Sequence, residues 1–467
     1  MNDGDVRSMT HDLVITDGLL VTPEGTFRGS LGIADGRIAA IVDTRLDGRE
    51  VIDARGRVVL PGTVDLHAHF NEPGRTHWEG WAHGSRAAAA GGVTTVVEMP
   101  LNAIPPTTTL EALEAKVTAA RAHSVIDFAL WGGLITDNLE HLPDLARGGV
   151  IGFKAFMTET GTPEFTHVED GILSEGLRRL NGLGHFLAVH AESNSITRDR
   201  TEGLRAQGRR DRRAWAEGRP PAAELEAVHR AIFLAREAGC RLHIVHMSLP
   251  EGVEAVRRAR EAGQAVTVET CPHYLTLTDE DLVRLGPVAK CAPPLRDQRR
   301  QEGLWQAVLG GVIDCITSDH SPCPTEDKAR GEDDIWAAWG GITGIQTLVP
   351  LLLTEGVHRR GLSLDRLALL VAANPAKIAG LWPRKGAIRV GADADLLIVD
   401  MDREWQVERS WLRSRHPHSP FIGWKMQGWI THVLRRGQTI ARDGEVTVDG
   451  GGEWLPSGAS PAAVRPE

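Results

Sequence analysis

Apolar and polar positions follow two different rhythms along the chain. From about Leu13 to Leu60, short β-branched runs such as LVITDGLLVT and VIDARGRVVL are separated by Gly and Asp. This rhythm predicts the hairpins of a small antiparallel sheet. The same texture returns near the C-terminus, in GAIRVGADADLLIVD and GWITHVLRRGQTIARDGEV. We expect these late strands to complete the sheet that the N-terminal strands begin.

Between these regions, a short apolar strand pattern followed by a longer helical pattern recurs. The pattern predicts eight strands, namely TVDLHAH, TTVVEMP, DFALWGGL, GFKAFM, HFLAVHAE, LHIVHMS, VTVETCP and DCITSDH. Helical spacing is clear in TLEALEAKVTAARA, ELEAVHRAIFLAREAG and EGVEAVRRAREAG. Eight strand–helix units over about 250 to 300 residues are typical of a (β/α)8 barrel. We therefore predict an α/β fold, a TIM-like (β/α)8 barrel with a small β-sandwich domain formed from the N- and C-terminal segments.

The predicted boundaries lie where the rhythm changes. Residues 10–60 and 385–450 would form the two parts of the β-sandwich domain, residues 61–384 the barrel, and residues 451–467 a tail. The charged stretch RTEGLRAQGRRDRRAWAEGRPPAAE follows the fifth barrel strand. The charges of this stretch predict a solvated helix and loop. Alternatively, the stretch could border the entrance of a functional site or form a subunit contact.

Composition narrows the class of protein. The formal net charge is −10, whereas nucleic-acid and anionic-membrane surfaces need concentrated Lys and Arg, so we expect neither partner. The start, MNDGDVRSMTHD, is unlike a signal peptide, and no run of about 18 apolar residues occurs, which favours the cytoplasm. The five cysteines include no C-x-x-C pair, which predicts reduced, mostly buried thiols.

Polar residues collect at the predicted carboxyl ends of the strands, where barrel enzymes place their chemistry. Six of them come from five strands: His67, His69, Lys154, His190, His246 and Asp319. Each alone has a structural explanation, such as a hydrogen-bonded core histidine, an N-cap aspartate or half of an ion pair. Together they indicate a metal site, because histidine and carboxylate ligands suit zinc and similar divalent ions.

Lys154 is the unusual member of this set, because an ammonium group repels cations. Reaction of its neutral amine with carbon dioxide would give a carbamate, an anionic group with two oxygens that is long enough to bridge two metals. The reaction requires the lysine to lose its proton, which burial beside cations favours. Lys154 is therefore a candidate for modification.

The motifs VDLHAHFNEPG, GFKAFM, HAES, HIVHMS, CPHYL and TSDHSP resemble those of the cyclic amidohydrolases, the family that contains dihydroorotase, hydantoinase and allantoinase. The similarity runs from the first hairpins to about Asp400. It implies two divalent ions, zinc or else cobalt, manganese or nickel, bridged by N6-carboxylated Lys154. By position, His67 and His69 would hold one ion with Asp319, and His190 and His246 the other. The resemblance also implies a homotetramer.

The resemblance implies hydrolysis of a cyclic amide. Two ions about 3.5 to 4 Å apart would share a water, lower its pKa and polarise a ring carbonyl. Asp319 would be the general base, taking a proton on attack and returning it to the departing ring nitrogen.

Substrate choice depends on the segment after the histidine pair. Dihydroorotases resemble His-x-His-Leu-Arg-Glu-Pro-Gly, whose Arg grips a substrate carboxylate, but Asn71 stands at that position here. A neutral amide suits an uncharged ring.

The stretches NEPGRTHWEG, EMPLN, KCAPPLRD and WGGITG are similar to the allantoinase branch of the family. This similarity implies that the hydantoin ring of allantoin is opened to allantoate, a step of purine catabolism, with Asn71, Cys291 and Ser321 at the substrate. Dihydroorotase and hydantoinase activities are alternatives. A catalytically silent scaffold is another, against which the intact ligand set argues.

Overall fold

A computed structural model describes residues 11–458 of the chain. The strands within this range are, in chain order, β1 (His11–Thr22), β2 (Gly25–Ala34), β3 (Arg37–Val42), β4 (Gly48–Asp53), β5 (Val58–Pro61), β6 (Thr63–Ala68), β7 (Val93–Glu98), β8 (Asp127–Leu130), β9 (Gly132–Gly133), β10 (Phe153–Phe156), β11 (Leu187–His190), β12 (Leu242–Ile244), β13 (Val266–Thr270), β14 (Cys315–Ile316), β15 (Leu396–Gln406), β16 (Lys425–Arg435), β17 (Gln438–Arg442) and β18 (Glu445–Val446).

The α-helices are α1 (Trp81–Ala90), α2 (Leu110–His123), α3 (Leu142–Gly148), α4 (Asp170–Gly182), α5 (Asn194–Ala206), α6 (Arg212–Gly218), α7 (Pro221–Ala238), α8 (Pro250–Glu261), α9 (Pro272–Thr276), α10 (Asp279–Leu285), α11 (Gln298–Leu309), α12 (Thr325–Ala329), α13 (Leu348–Leu351), α14 (Leu364–Ala368) and α15 (Asn374–Ile378). Short 3-10 turns cover Leu139–His141, Gly286–Ala289, Ile335–Ala337, Ile345–Thr347 and Arg409–Trp411, and π-helical turns cover Leu352–His358 and Leu369–Ala373.

Both ends of the chain contribute to one nine-stranded sheet, in the order β18-β17-β16-β15-β5-β1-β2-β3, with β4 also paired to β1. The C-terminal strands join the N-terminal ones as predicted, because β15 pairs antiparallel with β5. The prediction of a purely antiparallel sheet is wrong, since β4 and β5 both run parallel to β1. The β2–β3 hairpin occupies one edge of the long strand β1, so the other edge is filled by strands that return in the same direction through crossing connections.

The middle of the chain forms two parallel sheets, of order β14-β13-β12-β11-β10-β9 and β6-β7-β8. A strand is found inside each of the eight predicted segments, and β8 and β9 belong to the same segment. A parallel bridge from Ala68 to His320 joins the end of β6 to the residues that follow β14. Asp65 strengthens this junction, because its Oδ1 accepts hydrogen bonds of 3.1 Å from the backbone N–H groups of Ser318 and His67. The mixed α/β architecture with a parallel sheet is thus as predicted.

Burial explains the sequence texture of these elements. All six residues of β7 are buried, as expected for a parallel strand covered on both faces. Helix α8 begins with Pro at its first turn and buries Val253, Val256 and Ala259 along one face, while Arg258 on the opposite face is exposed. All five cysteines are free and buried, as predicted. Within residues 11–458, no helix combines the length and apolar character that a membrane crossing requires.

Candidate metal centre and cavity

The six candidate ligands lie together at the carboxyl ends of the parallel strands. His67 is in β6, Lys154 in β10 and His190 at the end of β11. The others are His69, His246 and Asp319, which lie within three residues after the ends of β6, β12 and β14. All six are buried. The four imidazoles form a row, with ring centroids 5.4 Å apart from His69 to His67, 5.3 Å from His67 to His246 and 4.6 Å from His246 to His190.

One half of the centre consists of His67, His69 and Asp319. Asp319 Oδ1 lies 3.2 Å from His67 Nε2 and 3.6 Å from His69 Nε2, and the three residues form a group able to hold a metal ion. Burial raises the pKa of Asp319, but the charge of His67 and the hydrogen bond from His69 outweigh it and leave the pKa lowered. Burial lowers the pKa of His69 to about 4, so its imidazole is neutral, the form that binds metals.

The other half contains Lys154, His190 and His246. Lys154 Nζ lies 4.8 Å from the centroid of the Phe156 ring, which stacks on His190 at 4.5 Å. This Nζ has no hydrogen-bond partner among the residues that the structure describes. Burial lowers the pKa of Lys154 to about 8, against the opposing attraction of nearby carboxylates. Burial likewise lowers the pKa of His190 and of His246.

Two of these residues have strained backbones. The φ angle is 38° at His246 and 44° at Asp319, in the left-handed region that side chains other than Asn and Gly rarely adopt. Such strain persists only where the surroundings over-determine it, and it clusters at functional sites.

Two buried glutamates that the sequence analysis did not single out support the histidines. Glu269 Oε1 accepts a 2.5 Å hydrogen bond from His67 Nδ1, and Glu192 Oε2 accepts one of 2.7 Å from His190 Nε2. Burial raises the pKa of Glu192, but its ion pair with Arg219 and its bond to His190 lower the pKa to about 2 overall. The available signal was an acidic residue inside an otherwise apolar strand, in VETCP, or beside a candidate ligand, in HAES.

His273 is another group that sequence reasoning missed. It lies with Cys271 beside Asp319 in a second group of possible metal ligands. Burial lowers the pKa of His273 to about 4, against the attraction of Asp319. The motif CPHYL contains both His273 and Cys271, but a single Cys-x-His pair is too short a pattern to indicate a site.

A cavity of about 580 Å³ opens above the histidines. Five candidate ligands line it, whereas Lys154 lies beneath them. One face of α5 forms a wall, with Asn194, Arg198, Thr201 and Arg205, and the tryptophans of the wall are Trp78, Trp215, Trp336 and Trp339. The charged stretch after the fifth strand therefore borders the mouth of the cavity, one of the alternatives that its sequence left open.

The three predicted substrate residues are placed differently. Ser321 lines the cavity, and its backbone oxygen accepts a hydrogen bond of 3.2 Å from Trp339 Nε1. Asn71 and Cys291 do not line the cavity. Asn71 is fully buried, has a φ of 63° and donates from Nδ2 to the Pro322 oxygen at 3.3 Å.

A segment that we call the strap, residues 413–418, ties together two loops beside the site. Arg415 Nε donates to the Glu79 oxygen at 2.8 Å, and His416 Nε2 bonds the His77 oxygen at 2.8 Å. His418 Nε2 reaches the Cys323 oxygen at 2.9 Å. The strap thus joins the loop after β6 to the loop after β14.

Known proteins resemble this chain over nearly its whole length. Residues 58–440 match the Amidohydrolase family. The chain is 49% identical over 445 residues to an allantoinase of Rubrobacter xylanophilus, covering 95% of this chain and 97% of that protein. It is 45% identical over 440 residues to an allantoinase of Deinococcus radiodurans, covering 94% and 97%. Among solved structures, the L-hydantoinase (dihydropyrimidinase) of Arthrobacter aurescens aligns with a TM-score of 0.93 at 38% identity, covering 96% of this chain and 100% of that one.

Proposed function

Because this chain belongs to the amidohydrolase family, we propose that it is a metal-dependent hydrolase that opens the hydantoin ring of allantoin to allantoate, in allantoin and purine catabolism. The observation that carries the proposal is the row of four buried histidines with Asp319 and Lys154 at the base of one cavity. Allantoin is the proposed substrate because relatives that match along nearly the whole chain are named allantoinases.

The proposed architecture places this site at the mouth of a barrel. Strand neighbours follow chain order within each parallel sheet, from β6 to β8 and from β9 to β14, and the bridge from Ala68 to His320 brings the residues after the last strand beside the first. These pairings support a TIM-like (β/α)8 barrel over residues 61–384. The nine-stranded sheet supports a small β-sandwich domain made of residues 10–60 and 385–450, with 451–467 as a tail.

The donor set fits two divalent ions, with zinc the first choice. His67, His69 and Asp319 would hold one, and His190 and His246 the other. Lys154 fits the bridging position once carboxylated, because a buried Nζ without a hydrogen-bond partner is costly as an ammonium group. The neutral amine adds to carbon dioxide and loses a proton to give the carbamate. When bound, the ions would supply an activated water and polarise the ring carbonyl.

Asp319 is the proposed proton carrier. Its Oδ1 faces His67 and His69, and its lowered pKa keeps it ionised at neutral pH. It would accept a proton as the ring carbonyl is attacked and deliver that proton to the departing ring nitrogen. The tryptophans of the wall would enclose the substrate and limit access of bulk water.

Three of the cations that line the cavity are already engaged by partners within the protein. Arg75 is paired with Glu164 at 3.1 Å, and Arg330 with Asp327 at 2.9 Å. Lys290 Nζ donates to two backbone oxygens, at 2.8 and 2.6 Å. A substrate carboxylate would have to compete with these partners for Arg75, Arg330 and Lys290, whereas Arg198 and Arg205 of the wall form no ion pair with the described residues.

The proposed substrate-side residues are Asn71, Cys291 and Ser321. Ser321 is in position to contact the substrate directly, since it lines the cavity. Asn71 would act through the loop after β14, to which its amide is bonded at Pro322.

The deciding experiment measures kcat/KM for allantoin, dihydroorotate and 5-substituted hydantoins with the purified, metal-loaded protein. We expect turnover of allantoin and little or none of dihydroorotate. Hydantoinase activity is the second candidate, because hydantoinase structures align with the chain at high TM-scores. Equal or better turnover of dihydroorotate or a hydantoin would overturn the substrate assignment. A homotetramer in the cytoplasm remains a prediction from the family resemblance and the sequence.

A further inference from the structure

Glu269 lies in β13, fully buried beneath the row of histidines, and both of its carboxylate oxygens are engaged. Oε1 accepts a hydrogen bond of 2.5 Å from His67 Nδ1 and another of 3.1 Å from the backbone N–H of His246. Oε2 accepts one of 3.1 Å from His243 Nε2. One carboxylate therefore contacts a candidate ligand from each half of the centre.

The bond to His67 selects which ring nitrogen faces the centre. Because a carboxylate only accepts, Nδ1 carries a hydrogen, so the neutral imidazole that would bind a metal has its lone pair on Nε2. Nε2 is the atom that lies 3.2 Å from Asp319 Oδ1, on the side of the other ligands. The opposite tautomer would present an N–H to the metal position and block it.

The bond to the backbone of His246 acts at a strained point. His246 has a φ of 38°, a strained conformation that persists only where surrounding contacts hold it. Glu269 supplies such a contact at the N–H of this residue.

The carboxylate is itself held in place from behind. His243 bonds its Oε2, and His243 Nδ1 lies 2.8 Å from Thr267 Oγ1. Neither Glu269 nor His243 lines the cavity. The carboxylate thus has no contact with the cavity, and among the described residues it bonds to His67, His246 and His243.

We propose that Glu269 is a shared positioning residue for the two halves of the metal centre, fixing the tautomer of His67 and the backbone of His246 through one carboxylate. The inference rests on the proposed metal-dependent function. His243, Glu269 and Cys315 also form a group close enough to hold an ion, but three N–H groups already occupy the carboxylate. A third tightly bound ion in the unaltered protein would therefore contradict the proposal.

The test compares Glu269→Gln with Glu224→Gln. Glu224 is an equally buried carboxylate, bonded to Ser248 and Arg296 rather than to a candidate ligand. Both proteins are loaded with Co2+, and the metal content, the rate of Co2+ loss to a chelator and the visible absorption spectrum are recorded. We expect Glu269→Gln to bind Co2+ roughly 10 to 100 times more weakly and with an altered spectrum. Glu224→Gln should match the unaltered protein in both.

A second variant keeps the test decisive if Glu269→Gln fails to fold. His243→Asn removes the bond behind Oε2 without touching His67, and we expect a smaller increase in the rate of Co2+ loss. Unaltered affinity and spectrum in the folded variants would overturn the proposal. The proposed function fails separately, if the unaltered protein holds two ions and does not turn over allantoin.

Discussion

Asp319 is placed to act both as a ligand and as a base. A substitution that replaces one of its carboxylate oxygens should separate these two proposed roles. Asp319→Asn keeps the shape and one carbonyl oxygen but removes the proton acceptor. We expect the metal content to be largely retained and kcat on allantoin to fall by about two to four powers of ten. Elemental analysis and steady-state kinetics on the same preparation measure both quantities. As a control, Asp402→Asn changes an exposed aspartate that does not line the cavity. Near-normal turnover in Asp319→Asn would refute the role.

Lys154 is testable through replacement of its proposed carbamate. Lys154→Ala should abolish most activity, because the oxygens proposed to bridge the ions would be lost. Acetate or propionate should restore part of it by filling the vacated space with a free carboxylate. The matched control is Lys116→Ala, since Lys116 is also fully buried but pairs with Glu98. Rescue of Lys116→Ala by the same acids, or an unmodified ammonium group at Lys154 in active, metal-loaded crystals, would contradict the proposal.

Sequence reasoning found the residues that face the cavity more readily than those that hold them. His67 and His69 were predictable, because alternate residues of one strand share a face. The role of Glu269 was not, since it depends on β13 running beside β12, which brings His243 within reach. No spacing within the VETCP motif encodes that neighbour.

At the scale of elements, the strap makes a prediction about acid stability. Burial lowers the pKa of His418 from its usual 6.5 to about 4. The unfolded chain therefore binds a proton at His418 more readily than the folded chain does. The contribution of neutral His418 to the free energy of unfolding is complete above pH 6.5. It is lost as the pH falls from 6.5 towards 4, by at most about 3 kcal/mol. His418→Gln keeps a donor for the Cys323 oxygen but does not titrate.

We expect the loss in free energy of unfolding between pH 7 and pH 4.5 to be smaller in His418→Gln than in the unaltered protein by roughly 2 kcal/mol. Urea unfolding followed by tryptophan fluorescence at the two pH values measures it. The exposed His123→Gln serves as the control. Parallel pH dependence in all three proteins would count against a buried neutral His418.

Some helices and strands could be predicted from the sequence more accurately than others. Helices α2, α7 and α8 match their predicted segments closely, because caps and apolar spacing are local signals. The direction of β4 and β5 was missed, because a short strand carries the same alternation whether its neighbour is parallel or antiparallel. Pairing depends on β1 being long enough to receive both strands.

At the scale of the whole molecule, a buried cluster of charges joins the two kinds of sheet. Lys385 Nζ donates to Asp127 of β8 at 2.5 Å and to Asp395, beside β15, at 2.8 Å. Arg436, in the turn between β16 and β17 of the nine-stranded sheet, also pairs with Asp127. The cluster anchors the nine-stranded sheet to the parallel strands.

Lys385→Met keeps the length of the side chain but leaves buried carboxylates without their cation. We expect the free energy of unfolding to fall by about 3 to 5 kcal/mol, the usual cost of breaking a buried pair. Denaturant unfolding measures it, with the exposed Lys425→Met as the control. A change below about 1 kcal/mol, within the range of exposed ion pairs, would show that the cluster does not anchor the sheet.

The junction between β6 and the residues after β14 determines when, during synthesis of the chain, the site can form. Asp65 and Ser318, which close this junction, are 253 residues apart in the chain. During translation, His67 and His69 leave the ribosome long before Asp319. His67 and His69 therefore lack the Asp319 carboxylate until the last parallel strand has been synthesised. Binding of the proposed ions would thus require the completed set of parallel strands, and a chain that ends before Asp319 would carry the histidines without a complete centre.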